Sequence, residues 1–155
     1  MTTDPARAQG ATDVAPDEPA SLAHRPHFDP RGAILIVEDE VLVREVTVEA
    51  LVEAGFVVAQ AANGEEALRM LGSTPLAALV TDVMMPGGLD GVAVASIARR
   101  LAPELPVLVV SACHDHPRLK DLPPRVPFLG KPYTDSEIAC AVRALVAQVP
   151  AAAAA

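Results

Sequence analysis

The sequence predicts an α/β fold, a doubly wound parallel sheet of five strands with helices on both faces. Two observations predict it. Short unbroken apolar runs alternate with amphipathic stretches along most of the chain, as a parallel sheet with crossover helices requires. The chain is also 51% hydrophobic but has only three Phe, one Tyr and no Trp. Its core is therefore built from Val, Leu, Ile and Ala, the residues of strands covered on both faces.

The elements follow in order. Ala33-Ile34-Leu35-Ile36-Val37 is an unbroken apolar run and reads as the first strand. Residues 41–54 place Val43, Val46, Ala50 and Leu51 on one stripe and Glu45, Glu49 and Glu53 on another. That spacing predicts an amphipathic helix, closed by Gly55. Residues 56–59 read as the second strand. Asn63 is placed to cap the second helix, with Glu66 three residues on and Gly72 at its end. Residues 76–81 read as the third strand and 92–101 as the third helix. Residues 107–110 and 126–129 read as the fourth and fifth strands. Thr134-x-x-Glu137 is a capping box that opens a last helix carrying Ile138, Val142, Leu145 and Val146.

One crossover is expected to lack a regular helix. Between residues 112 and 125 stand Pro117, Pro123 and Pro124. Pro117 suits a first helical turn, while Pro123 and Pro124 stop any helix by Leu122. One or two turns over residues 117–121 is the expectation, so the fourth helix is short or absent.

Residues 1–30 are rich in Ala, Pro, Asp and Thr without apolar periodicity, which predicts a disordered N-terminal tail. Residues 31–149 are the expected domain. Residues 150–155, a proline and five alanines, are expected to be a disordered Ala tail.

Composition excludes several classes. No apolar stretch approaches the roughly 18 residues of a membrane span, and no hydrophobic block follows the N-terminal basic residues. Two cysteines, Cys113 and Cys140, make neither a disulfide framework nor a zinc pattern. A reducing, cytoplasmic setting is expected. The net charge is -8 with no basic stripe, so no direct nucleic-acid binding and no membrane contact are expected.

The strand ends carry the chemistry. The first strand runs into Glu38-Asp39, the third into Asp82, the fourth into Ser111 and the fifth into Lys131. In open parallel sheets ligands sit at these carboxyl ends. Three carboxylates in one pocket repel by about 1 to 4 kcal/mol per close pair. A hard divalent cation, magnesium or calcium, would remove that cost, and a few carboxylates with water and a phosphate oxygen is the magnesium pattern. Lys131 is one of only two lysines against ten arginines, which suggests a site that needs a compact ammonium.

These residues resemble the receiver-domain family of two-component signalling. The resemblance rests on residues 34–40 (ILIVEDE), 80–86 (VTDVMMP), 89–91 (LDG), 109–112 (VVSA) and 130–133 (GKPY), and it spans about residues 33–149. It implies a flavodoxin-like sheet of order 2-1-3-4-5. It also implies that Asp82 is the phosphoacceptor and that Asp39, Glu38, Asp82 and the backbone carbonyl of Met84 hold Mg2+. Ser111 is implied as the hydroxyl that binds the arriving phosphoryl group and Lys131 as the ammonium that neutralises it. Ser111 and Phe128 are implied as the switch pair. The implied partners are a histidine kinase or histidine phosphotransfer protein and an unknown downstream protein. The expected type is a stand-alone receiver with no output domain, not an enzyme beyond its own phosphorylation and dephosphorylation.

The chain departs from the family pattern in three places. Residues 86–90, Pro-Gly-Gly-Leu-Asp, are one residue longer than the commonest loop. Phe128 replaces a frequent tyrosine. The fourth-helix region is broken by prolines and carries His114-Asp115-His116, a pattern read as exposed polar loop in preference to a metal site. The broken helix also directs partner docking toward the first helix and the loops around the site, or else the short segment orders only on phosphorylation or binding. Two other classes compete. A haloacid-dehalogenase-like phosphatase would need an acid where Met84 stands. A phosphorylation-independent interaction module would not need the acids, Ser111 and Lys131.

Overall fold

A computed structural model of the chain describes residues 28–148. Most of the expected N-terminal tail and the whole Ala tail lie outside the described residues. Five parallel strands, β1 (Phe28–Val37), β2 (Val58–Ala61), β3 (Leu76–Asp82), β4 (Val107–Ser111) and β5 (Phe128–Gly130), form one sheet. Their order is β2-β1-β3-β4-β5, the flavodoxin-like order that the resemblance implies. Four α-helices connect or follow them: α1 (Val41–Glu53), α2 (Gly64–Leu71), α3 (Gly91–Leu101) and α4 (Asp135–Ala147). The β4–β5 crossover holds only a 3-10 turn, Pro117–Asp121, with Pro117 in its first turn.

Two apolar clusters sandwich the sheet. One face packs Leu35, Val37, Leu79 and Val109 against α2 and α3 through Ala67, Leu71, Val94 and Ala98. The other packs Ile34, Ile36, Val80 and Val110 against α1 and α4 through Leu51, Ile138 and Val142. Alternate strand residues feed opposite clusters, as the two-residue period of a strand dictates. β3 is buried at every position, which fits its central place.

The sequence caps are present. The Asn63 side chain accepts the Glu66 N–H at 2.8 Å and Glu66 Oε2 accepts the Ala62 N–H. Thr134 and Glu137 form the reciprocal capping box. Gly55 closes α1 with φ of 94°, a conformation that a side chain would strain.

Several boundaries differ from the sequence expectation. β1 begins at Phe28, so residues 28–30 of the expected tail belong to the sheet. Phe28 pairs with Leu76, and the register shifts before Ala33. The polar Asp29-Pro30-Arg31 stretch within it, where Asp29 accepts the Arg31 N–H, lacks the apolar run of a strand and hid that extension. β2 lies two residues later than expected, because polar Gln60 continues the ladder opposite Ile36. β5 likewise starts at Phe128. In α1, Val46 is 59% exposed and Thr47 is buried in its stead. Apolar residues at 41, 42, 43, 46, 48 and 52 ring this helix, so periodicity alone did not select the buried face.

Candidate functional site

Glu38 leaves β1, Asp82 ends β3, Ser111 ends β4 and Lys131 follows β5, so four strand ends place these residues at one edge of the sheet. Carboxylate oxygens of Glu38, Asp39 and Asp82 lie within 4.8 Å of one another. Glu38 and Asp82 are each 4% exposed, and Asp39 is more open to solvent. Lys131 Nζ joins two of the acids, at 2.6 Å from Glu38 Oε2 and 3.3 Å from Asp82 Oδ2. The other Asp82 oxygen, Oδ1, is buried without a hydrogen-bond partner among the described residues.

That unpaired oxygen tests the fit of a cation. A buried ionised oxygen without a partner is costly, and here it belongs to a cluster of three acids faced by one ammonium. Hard carboxylate oxygens at this spacing are a donor set that suits magnesium. Burial pushes the Asp82 carboxyl up from its ordinary range, with the Lys131 charge opposing. Burial does the same to Glu38, again opposed by its hydrogen bond to Lys131. For Lys131 burial works the other way, but the bond to Glu38 and the charge of Asp82 outweigh it and hold the ammonium above its ordinary range.

The surroundings fix this geometry. Gly91, the first residue of α3, has no room for a side chain: a Cβ there would overlap the Asp82 carbonyl oxygen. α3 can thus start directly against the backbone of the central acid. Its cap is Asp90, whose Oδ1 accepts the Ala93 N–H at 2.8 Å. Arg44 donates from Nη1 to the Glu38 carbonyl at 2.7 Å. The Tyr133 hydroxyl meets Thr47 Oγ1 at 3.0 Å, joining the loop after Lys131 to α1.

The chain belongs to the response regulator receiver domain family. The family model for that domain matches residues 34–143, nearly all of the described structure. The response regulator MprA of Mycobacterium ulcerans is 38% identical over 115 residues, which are 73% of this chain and 49% of that protein. An NtrX-like response regulator of Rickettsia conorii is 34% identical over 79 residues, 50% of this chain and 17% of that protein. The chain thus spans about half or less of these curated relatives. A response regulator receiver protein from Sinorhizobium medicae superposes with a TM-score of 0.71 at 28% identity, covering 76% of this chain and 96% of that one.

The receiver brings together Glu38, Asp39, Asp82 and Lys131 as the sequence predicts. Ser111 is fully buried at the end of β4, and its hydroxyl is engaged by its own loop, donating to the Cys113 carbonyl and accepting the Cys113 N–H, both at 3.2 Å. Phe128 is half-buried on β5. The Met84 side chain is 57% exposed, so it faces solvent instead of the acids. His114 and His116 do not share a site. His114 packs edge-on to Phe128, and His116 Nδ1 accepts the Arg118 N–H.

Sequence reasoning missed Arg44 and Arg118, and it held Asp90 and Gly91 only as part of a motif, without a role. Asp90-Gly91 before an apolar helix was legible as a cap signal. Arg118 donates twice to Asp90, at 2.8 and 3.2 Å, across 28 residues, and no local pattern encodes such a pair. No helix among the described residues is long and apolar enough to cross a membrane.

Proposed function

We propose that this receiver accepts a phosphoryl group on Asp82 in a magnesium-dependent reaction and relays the event by protein–protein contact. The observation that carries the reading is the Asp82 carboxylate itself. One oxygen is neutralised by Lys131 while the other is buried and unpaired beside two further acids. A carboxylate so placed is an in-line nucleophile for a phosphoryl group. Glu38, Asp39, Asp82 and the Met84 carbonyl would hold magnesium, which supplies charge neutralisation for the incoming oxygens. Lys131 binds one oxygen of the phosphoryl group, and Ser111 turns its hydroxyl to another.

The phosphodonor is a histidine kinase or histidine phosphotransfer protein. Its proposed seat is an apolar groove of about 410 Å³ lined by Leu42, Val46, Ala112, Pro132 and Tyr133, with Lys131 at its wall. Leu42 and Val46 are 71% and 59% exposed, and Lys131 is shared between groove and acidic pocket. A donor seated there would bring its histidine to Asp82.

The test is phosphorylation by acetyl phosphate followed by intact mass. The wild type should gain one phosphoryl group with magnesium and none with chelator, and Asp82→Asn should gain none. Equal labelling of wild type and Asp82→Asn would overturn the reading.

A further inference from the structure

His114 stands three residues after Ser111, on the short segment that replaces a regular crossover helix. Its ring meets Phe128 edge-on, with centroids 5.5 Å apart and planes at 79°. It also lies on the backbone of Gly130, where a Cβ would overlap the imidazole. Phe128 and Gly130 are two apart on β5 and pair with Val109 and Ser111 of β4. One imidazole thus covers one face of β5 beside the end of β4.

The Ser111 hydroxyl holds this arrangement in place. It binds both the N–H and the carbonyl of Cys113, and so fixes the turn from which His114 projects. One hydroxyl proton cannot serve the Cys113 carbonyl and a phosphoryl oxygen together. Turning it toward Asp82 gives up the bond to the Cys113 carbonyl and so loosens the turn, and His114 is the next side chain along. Edge-on ring pairs carry energy beyond their buried area, so the His114 contact favours the conformation in which it is made.

We propose that His114 is a positioning residue that holds the Phe128 ring in its unphosphorylated place and lets it go when Ser111 engages the phosphoryl group. The proposal rests on the reading of Asp82 as phosphoacceptor and Ser111 as phosphoryl-binding hydroxyl. Gly130 is what makes room for the imidazole. A contact made only in the resting state opposes the ligand that selects the other state.

The test is the affinity of the full chain for beryllofluoride, a phosphoryl analogue, with magnesium present, followed by amide NMR spectra. His114→Ala should bind roughly two- to tenfold more tightly than the wild type. Gly130→Ala, whose methyl would displace the imidazole without removing His114 from the chain, should shift affinity the same way. His114→Phe, which restores an edge-on ring, should return affinity toward the wild type. Unchanged or weaker binding by His114→Ala would overturn the proposal, as would His114→Phe behaving like His114→Ala. A wild type that binds no beryllofluoride would instead sink the phosphoacceptor reading, and the proposal with it.

Discussion

Asp82 is a buried acid whose Oδ1 has no partner among the described residues, and two more carboxylates crowd it. Without a cation this arrangement destabilises the fold it serves, because like charges repel and burial strips their water. Asp82→Asn removes one charge at nearly constant shape. In chelator the variant should therefore melt a few degrees above the wild type, by calorimetry, while losing all phosphoryl acceptance. A lower melting temperature would show that the crowding is already relieved within the protein. Lys131→Arg tests the other partner. The ammonium touches Glu38 and Asp82 as a point charge, whereas a planar guanidinium needs a wider fork. Labelling of Asp82 by acetyl phosphate should persist in the variant, with a weakened downstream response in a reconstituted relay. At this scale the sequence was legible where a residue stands at a strand end, since topology then sets its position. It was not legible for Arg44 and Arg118, whose roles depend on packing between distant segments.

Among the elements, the β4–β5 crossover was read correctly from its prolines, which permit only the 3-10 turn over Pro117–Asp121. Arg118 ties the turn to the cap of α3 through Asp90 and to Asp121 in its own turn. The Arg118 hydrogen bonds hold the Asp90 carboxyl below its ordinary range, aided by the Ala93 N–H. A carboxyl with a folded pKa below its unfolded value adds stability above about pH 4 and loses it as pH falls through the folded value. Arg118→Ala should thus lower stability at neutral pH only slightly, since solvent screens this partly exposed pair. The gap from wild type should close as melts are taken toward pH 3. A gap independent of pH would mean that Arg118 acts by packing alone. Asp90→Ala also removes the helix cap and should cost about 1 kcal/mol more.

The first helix shows the opposite case, where the pattern misled. Its apolar residues ring the helix, so Val46 was assigned to the core and Thr47 was not. Leu42 and Val46 in fact face solvent above the groove. Leu42→Asp with Val46→Asp should slow phosphotransfer from a histidine donor about tenfold or more, given that buried apolar anchors dominate such interfaces. Labelling by acetyl phosphate, which needs no protein seat, should be unchanged. Loss of both would place the defect in the acidic pocket and not in docking.

At the scale of the whole molecule, alternation of strand and helix fixed the class, and the strand-end residues fixed where the site lies. The register of β2 and the start of β1 escaped because polar residues within a strand look like loop. What the topology builds is a pocket whose electrostatics are coupled to global stability. Three strands contribute the acids and lysine, so any ligand that balances their charge favours the folded state over the unfolded one. Magnesium at ten times its dissociation constant should add about 1.4 kcal/mol, a rise of several degrees in melting temperature for a domain of this size. Chelator should reverse the rise completely. In Asp82→Asn the same magnesium should raise the melting temperature much less, because the negative charge of the buried carboxylate is gone. The two variants of the outer groove, Leu42→Asp and Val46→Asp, should retain the full rise. An equal magnesium effect in wild type and Asp82→Asn would mean that the cation binds elsewhere on this acidic chain, and the proposed ligand set would fall.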